Sequence, residues 1–216
     1  QGRSDPAILY ASDLIREGYI GEVLTANLST VAQAQLQRGP GRIWQGVRAN
    51  GANTLPIAGG HAIDALCAVL GEFAEISARV STRIPEWHTL DGKPVPVDAP
   101  DSISVVGRMM GAAEVTVNVA AVPSNAGGNR MEIYGREGAL VIRADGSLNI
   151  GPSQAHAGKG KGAMASMPVP AKYKLAPEGT PGGPPYNVAQ AYARLADALR
   201  GGQSFDVDFN LAVRRH

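Results

Sequence analysis

Apolar and polar positions divide this chain into alternating helical and extended stretches. Residues 5–17 place Ile8, Leu9, Leu14 and Ile15 on one face at helical spacing. Ser4 or Asp5 can cap that helix, Pro6 suits its first turn, Gly18 ends it and Gly21 closes the turn beyond. Residues 22–32 alternate and carry Val and Thr, which predicts a strand. Residues 33–58, with Gly39-Pro40-Gly41 and Asn50-Gly51, read as a long loop of the functional or mobile kind. His61 to Leu70 predict a short, largely apolar helix closed by Gly71, with a strand following at 75–83. The Pro-rich stretch 84–101 reads as loop. Strands are predicted at 102–109, 113–122, 130–135, 138–143 and 147–150. Gly127-Gly128, Glu137-Gly138 and Asp145-Gly146 serve as the turns. Residues 151–186 form a Gly-, Pro- and Lys-rich excursion. The stretch 187–200 then predicts an amphipathic helix with Val188, Ala191, Tyr192, Leu195 and Leu199 on one face. Asp208 to His216 opens a last helical pattern.

Mostly consecutive strands, with helices before, between and after them, predict an α+β fold. Its core is one open, mainly antiparallel sheet with helices on one face. The other face then needs a cover, and a second subunit is the simplest, since large exposed apolar faces are rare in monomers. The expected assembly is a homodimer or homotetramer through that face. Composition agrees with a sheet-rich fold: 27 Gly and 15 Pro in 216 residues exceed the usual combined share of roughly 12 %. Length bounds the chain to one domain or two small ones. Its beginning at Gln1-Gly2-Arg3 and its ending within a helical pattern lead us to expect residues 1–216 to be one domain of a longer protein.

A net charge of +1 gives no single-signed field to steer nucleic acid or a membrane surface, so neither is expected as a partner. No apolar run of about 18 residues predicts a transmembrane helix. The single Cys67 excludes a disulfide framework within the chain and fits a reducing, cytoplasmic setting.

Three stretches carry candidate chemistry. Gly158, Gly160 and Ala163 spell G-x-G-x-x-A, but the dinucleotide fingerprint works only between a strand and a helix N-terminus. Pro152 before and Pro168 and Pro170 after predict neither element, so a Lys-bearing loop is the reading there. The second stretch is Gly59-Gly60-His61-Ala62-Ile63-Asp64. His61 and Asp64 are spaced i, i+3 and share a helical face. A histidine at a helix N-terminus has its cation disfavoured by the dipole and can act as a neutral base. Asp64 can orient the imidazole or contact a ligand hydroxyl; a plain structural hydrogen bond is the alternative for both residues. The third is the loop bearing Arg42 and Trp44, where an indole can stack on a sugar face or simply anchor the loop. His88, His156 and His216 share no ligand spacing with His61, and no metal site is expected.

Four segments in order resemble the C-terminal domain of the glucose–fructose oxidoreductase / inositol dehydrogenase / rhizopine catabolism family. They are Leu14-Ile15-Arg16-Glu17-Gly18-Tyr19-Ile20-Gly21-Glu22-Val23, the stretch Gly59 to Asp64, Glu132 through Leu140, and Asp208-Phe209-Asn210-Leu211-Ala212. The resemblance implies an NAD- or NADP-binding Rossmann domain ahead of this one and hydride transfer on a sugar or cyclitol. It implies His61 as proton-transfer residue, shared with a lysine of the other domain. It also implies Asp64, Asn53, Trp44 and Arg3 at the substrate, and Gln1 and Arg3 at the cofactor. Many dehydrogenases of the family carry Asp four residues before the histidine, where this chain has Ile57. In that respect the stretch Gly51 to His61 is similar to a subgroup containing a galactose-regulon co-repressor, which implies a non-catalytic dinucleotide-binding regulator as the alternative function.

Overall fold

The computed structural model describes residues 1–205 and 207–215; the histidine expected to end the last helix, His216, lies outside them. Helix α1 (Pro6–Arg16) begins where Asp5 accepts a hydrogen bond from the Ala7 amide at 2.9 Å and Pro6 occupies the first turn. It buries Ala7, Ile8, Ala11 and Leu14. Strand β1 (Val23–Gln33) follows. The segment expected to be loop holds β2 (Gln37–Arg38), the short α2 (Pro40–Ile43) and tight turns. A π-turn, Leu55–Gly59, leads directly into α3 (Gly60–Leu70). Then come β3 (Phe73–Ser81), β4 (Glu86–Thr89), β5 (Pro94–Pro96), β6 (Ser102–Met109), β7 (Glu114–Val122), β8 (Gly128–Gly135), β9 (Gly138–Ala144), β10 (Gln154–Lys159) and β11 (Ala165–Ser166). Helices α4 (Pro184–Arg200) and α5 (Phe209–Arg215) close the described chain.

The main sheet has eight strands in the order β11-β10-β9-β8-β1-β7-β6-β3. Only β1 and β7 run parallel, with Asn27 opposite Thr116 and Leu28 opposite Val117. The α+β architecture with an open, mainly antiparallel sheet is therefore as expected. Alternation sets the faces: Ala26 and Leu28 of β1, Val115, Val117 and Val119 of β7, and Met131 and Ile133 of β8 turn toward α1 and α3 and are buried. The two helices pack together, with Ala11 and Leu66 both in the buried core, and are tied by a bond from the Ser12 hydroxyl to the Ala68 carbonyl at 3.0 Å. The opposite face carries Thr25, Asn27 and Ser29 of β1, Thr116 and Asn118 of β7, Ser104 of β6 and Glu132 of β8. Val106 and Tyr134 stand on the same side, opposite Thr116 and Thr25, and are exposed, so this face is mixed polar and apolar.

The Gly-x-x-Gly spacing of the β8–β9 hairpin has a packing cause. A Cβ on Gly135 would fall on the Ile20 carbonyl oxygen, and one on Gly138 on the Gly158 carbonyl oxygen. The turn is wedged between the α1–β1 connection and β10, and side chains are excluded there.

Four expectations are corrected. The stretches 33–58 and 84–101 are not plain loops: β2, β4 and β5 form a separate three-stranded sheet, with β2 parallel to β4. Residues 147–150 are not a strand but a turn. Leu148 is buried there and its carbonyl accepts from the Asn187 side chain at 3.0 Å rather than from a neighbouring strand. The excursion 151–186 contains β10, so a strand does precede Gly160; the chain then turns back into β11 rather than into a helix, and the pattern builds a hairpin, not a phosphate cradle. On α4 the buried residues are Asn187 and Gln190, while Tyr192 and Leu199 are exposed, because polar carbonyls at residues 4, 148 and 173 face that helix.

Candidate functional site

The Gly59-Gly60 pair and the π-turn determine where His61 sits. The Gly59 amide bonds the Thr54 carbonyl at 2.9 Å, so helical backbone starts at residue 55. His61 therefore lies inside a continuous helical stretch and not at a free helix end. This corrects the dipole argument, since that effect fades within the first turn. Its imidazole is nonetheless held below its usual pKa. Burial is the leading cause, with Asp64 pulling the other way. A depressed pKa leaves the ring neutral at pH 7 and able to accept a proton.

His61 lines an open cleft of about 790 Å³. Asp64, one turn on, shares that wall, as the i, i+3 spacing predicts. Its carboxylate does not bond the imidazole. It is shared between Arg3, at 3.5 Å from Nε, and Arg215 of α5, at 3.1 Å from Nε. Arg215 also pairs with Glu72, which holds that carboxyl below its ordinary range. Asp64 is thus the hub that ties the chain's start and α5 to α3. Arg215 and Glu72 went unnoticed in the sequence, and nothing in local spacing signals a bond spanning 151 residues.

Asn53 lines the cleft and also the cavity behind the π-turn, and its Oδ1 accepts from the Leu55 amide at 3.1 Å, starting the π-turn. Arg3 is largely buried against Asp64, and its Nη1 is buried without an acceptor among the described residues. Gln1 is exposed, with its carbonyl bonded to the Ser4 amide at 3.0 Å. Trp44 lines none of the described cavities. Its indole N–H is bonded to the Gly41 carbonyl at 2.9 Å, which turns the 48 % exposed ring across its own loop and supports the anchoring role. Ile57 faces the opposite side of the π-turn from His61, into a second cavity. No group of three or more His, Cys, Asp or Glu side chains able to hold a metal occurs among the described residues.

NAD or NADP is the cofactor that the resemblance implies. No strand-to-helix glycine turn for a pyrophosphate exists among the described residues. His61 stands neutral in the open cleft, whereas Arg3 does not line that cleft: it lines a separate cavity with Ser12 and Asp13 and keeps one buried nitrogen without an acceptor among the described residues.

Comparison with known proteins places these features. The family model for the Gal80p C-terminal domain matches residues 6–144. Dehydrogenase aclE of Aspergillus oryzae is 32 % identical over 122 residues, covering 54 % of this chain and 33 % of that protein. The galactose/lactose metabolism regulatory protein GAL80 of Saccharomyces cerevisiae is 28 % identical over 165 residues, covering 67 % of this chain and 36 % of that protein. The match thus spans about a third of the length of these curated relatives. Among solved structures, a super-repressor mutant of Gal80p from the same yeast superposes with a TM-score of 0.76 at 23 % identity, covering 94 % of this chain and 53 % of that one. Apo levoglucosan dehydrogenase gives 0.76 at 22 % identity, covering 96 % and 58 %.

Proposed function

The chain belongs to the family of Gal80p C-terminal domains, and from that premise we propose that it is the substrate-side domain of an NAD(P)-dependent oxidoreductase acting on a sugar or polyol. The observation that carries this reading is the neutral, half-buried His61 on the wall of a large open cleft. When bound, the nicotinamide supplies hydride acceptance. His61 takes the proton of the reacting hydroxyl as the carbon loses hydride, and returns it in the reverse direction. The ion pairs of Asp64 with Arg3 and Arg215 keep α3 and α5 in register, so that the imidazole stays aimed into the cleft. Asn53 offers a side chain at the cleft mouth for a substrate hydroxyl.

The test is His61→Ala in the full-length protein, followed by nicotinamide absorbance against a sugar and polyol panel. Turnover falls about 10²- to 10⁴-fold if His61 moves the proton. Unchanged turnover overturns the role.

A second reading, a dinucleotide-dependent regulator without turnover, is favoured by Ile57. An aliphatic side chain stands where the resemblance implies an acid, and it faces away from His61. Cofactor binding without turnover on any polyol supports that reading. In both readings a second copy sits on the open sheet face, giving a homodimer or homotetramer held by polar and apolar contacts. A monomer by light scattering excludes it. The compartment we propose is cytoplasmic; among the described residues no helix is long and apolar enough to cross a membrane.

A further inference from the structure

Behind the π-turn, on the side away from His61, lies a cavity of about 230 Å³ between the small sheet and residues 97–101. Its charges are unbalanced. Arg38 and Arg42 line it, and the sole acid on its wall is Asp101. That carboxylate is held by the main chain, Oδ1 accepting from the Arg83 amide at 2.8 Å and Oδ2 from the Ile84 amide at 2.7 Å, and it leaves the two arginines in excess by one charge. Neither arginine has a carboxylate partner among the described residues.

Arg38 is held in place. Its Nε donates to the Gln35 carbonyl at 2.7 Å, and its guanidinium stacks 4.3 Å from the Trp87 ring centroid. Stacking fixes the plane of the fork and leaves its two terminal nitrogens uncommitted. Burial and the neighbouring Arg42 both work against the charge on Arg38, a cost that an anion between the two would reverse. The rest of the wall is apolar, with Ile57, Ile84, Val97 and Trp87, and Asn53 and Gln45 add neutral polar groups. A bidentate fork, a second cation and an apolar floor are what an oxyanion on a small carbon skeleton requires. The volume lies below the roughly 300–1,000 Å³ of drug-sized ligand sites, so the occupant is smaller than those.

We propose that this cavity is a binding site for a small organic oxyanion, a carboxylate or phosphate monoester on a sugar-sized body, gripped by Arg38 and Arg42. The site goes beyond the oxidoreductase reading: it shares Asn53 and Pro100 with the cleft of His61, but neither Arg38 nor Arg42 lines that cleft.

The experiment is isothermal titration calorimetry on the full-length protein with glucuronate, glucose 6-phosphate, glucose and inorganic phosphate. Glucuronate or glucose 6-phosphate binds with a Kd below about 1 mM, and the one that binds names the oxyanion; glucose binds at least about tenfold more weakly. Arg42→Gln, at an exposed side chain without hydrogen bonds, weakens that binding by at least about tenfold, as does Arg38→Lys, which keeps charge but loses the fork. His61→Ala leaves it within about twofold, which separates this site from the catalytic reading. Binding of glucose as tight as the anions, binding of inorganic phosphate alone, no binding at millimolar concentration, or binding insensitive to both arginine variants overturns the proposal.

Discussion

Asp5 is the residue whose loss the fold should feel most for its size. It is fully buried and serves three parts of the chain at once. Its Oδ1 caps α1 through the Ala7 amide at 2.9 Å. Its Oδ2 accepts from the Ser153 amide at 3.0 Å, the Ser153 hydroxyl at 3.2 Å and the Asn187 side chain at 3.2 Å. Asp5→Ala removes the cap, worth about 1 kcal/mol. It also leaves the Ser153 amide without an acceptor in a buried place, costing about 1–3 kcal/mol. The Ser153 hydroxyl can rotate, and Asn187 keeps its bond to the Leu148 carbonyl, so those two add less. Removing a buried carboxylate returns part of the loss, because burial alone pushes Asp5 above its ordinary pKa. We expect a net loss of about 2–4 kcal/mol, read from urea unfolding with an unchanged m value. Asp5→Asn retains one acceptor but turns its amide nitrogen toward the Ser153 N–H, and should fall between the two. Because the folded pKa of Asp5 is raised, its contribution is complete below the ordinary carboxylate pKa and fades as pH rises through the raised value. The deficit of Asp5→Asn relative to wild type therefore narrows with rising pH. A loss below about 1 kcal/mol for Asp5→Ala, or an Asp5→Asn variant more stable than wild type at pH 7, would refute the reasoning.

Other expectations follow from single contacts. The depressed pKa of His61 sets the acid limb of any kcat/KM profile of the full-length protein below the ordinary histidine value of 6.5, and a limb above it contradicts the burial seen here. Gly135→Ala should cost about 1–3 kcal/mol by thermal melting, because its Cβ meets the Ile20 carbonyl. Gly146→Ala, with open space around it, should stay within about 0.5 kcal/mol, and equal effects at the two sites would discredit the wedge. Burial pushes the Cys67 thiol up to about 11, so alkylation at pH 8 should be slow in the native protein and fast in urea, and rapid native labelling would contradict its placement.

Much of the architecture was legible because it rests on local alternation. Strands β1, β6 and β7 and helices α1 and α3 each announce themselves through residues such as Leu28, Val117, Ile8 and Leu66, whose burial follows the period of their own element. The small sheet was invisible for the opposite reason. Gln37–Arg38 is two residues long, Pro94–Pro96 begins and ends in proline, and their partner strand lies about fifty residues from the first. No short window holds the β2–β4 pairing, while the local β4–β5 hairpin is masked by Pro94 and Pro96, which argue against a strand. The same limit hid the site's support: His61 and Asp64 share a face by spacing alone, but Arg215 arrives from the far end of the chain. On α4 the apolar stripe misled, because Asn187 and Gln190 bury themselves to satisfy carbonyls that only the folded chain assembles.

The place of β1 between β7 and β8 also governs how the chain must come together in time. Its cross-strand partners are roughly ninety to a hundred residues away, as the Asn27–Thr116 and Asn129–Thr30 bonds show. Sheets closed by such distant pairs pay loop-closure entropy before the contacts reward it. On the ribosome β1 is made first and waits on the order of 5–20 s, at about 5–20 residues per second, until the slot that receives it exists. Until β1 is seated, β3-β6-β7 on one side and β8-β9-β10 on the other, as each is completed, keep a bare inner edge. Such an edge accepts the β1 of a neighbouring nascent chain as readily as its own, so crowding during synthesis favours strand exchange over correct closure.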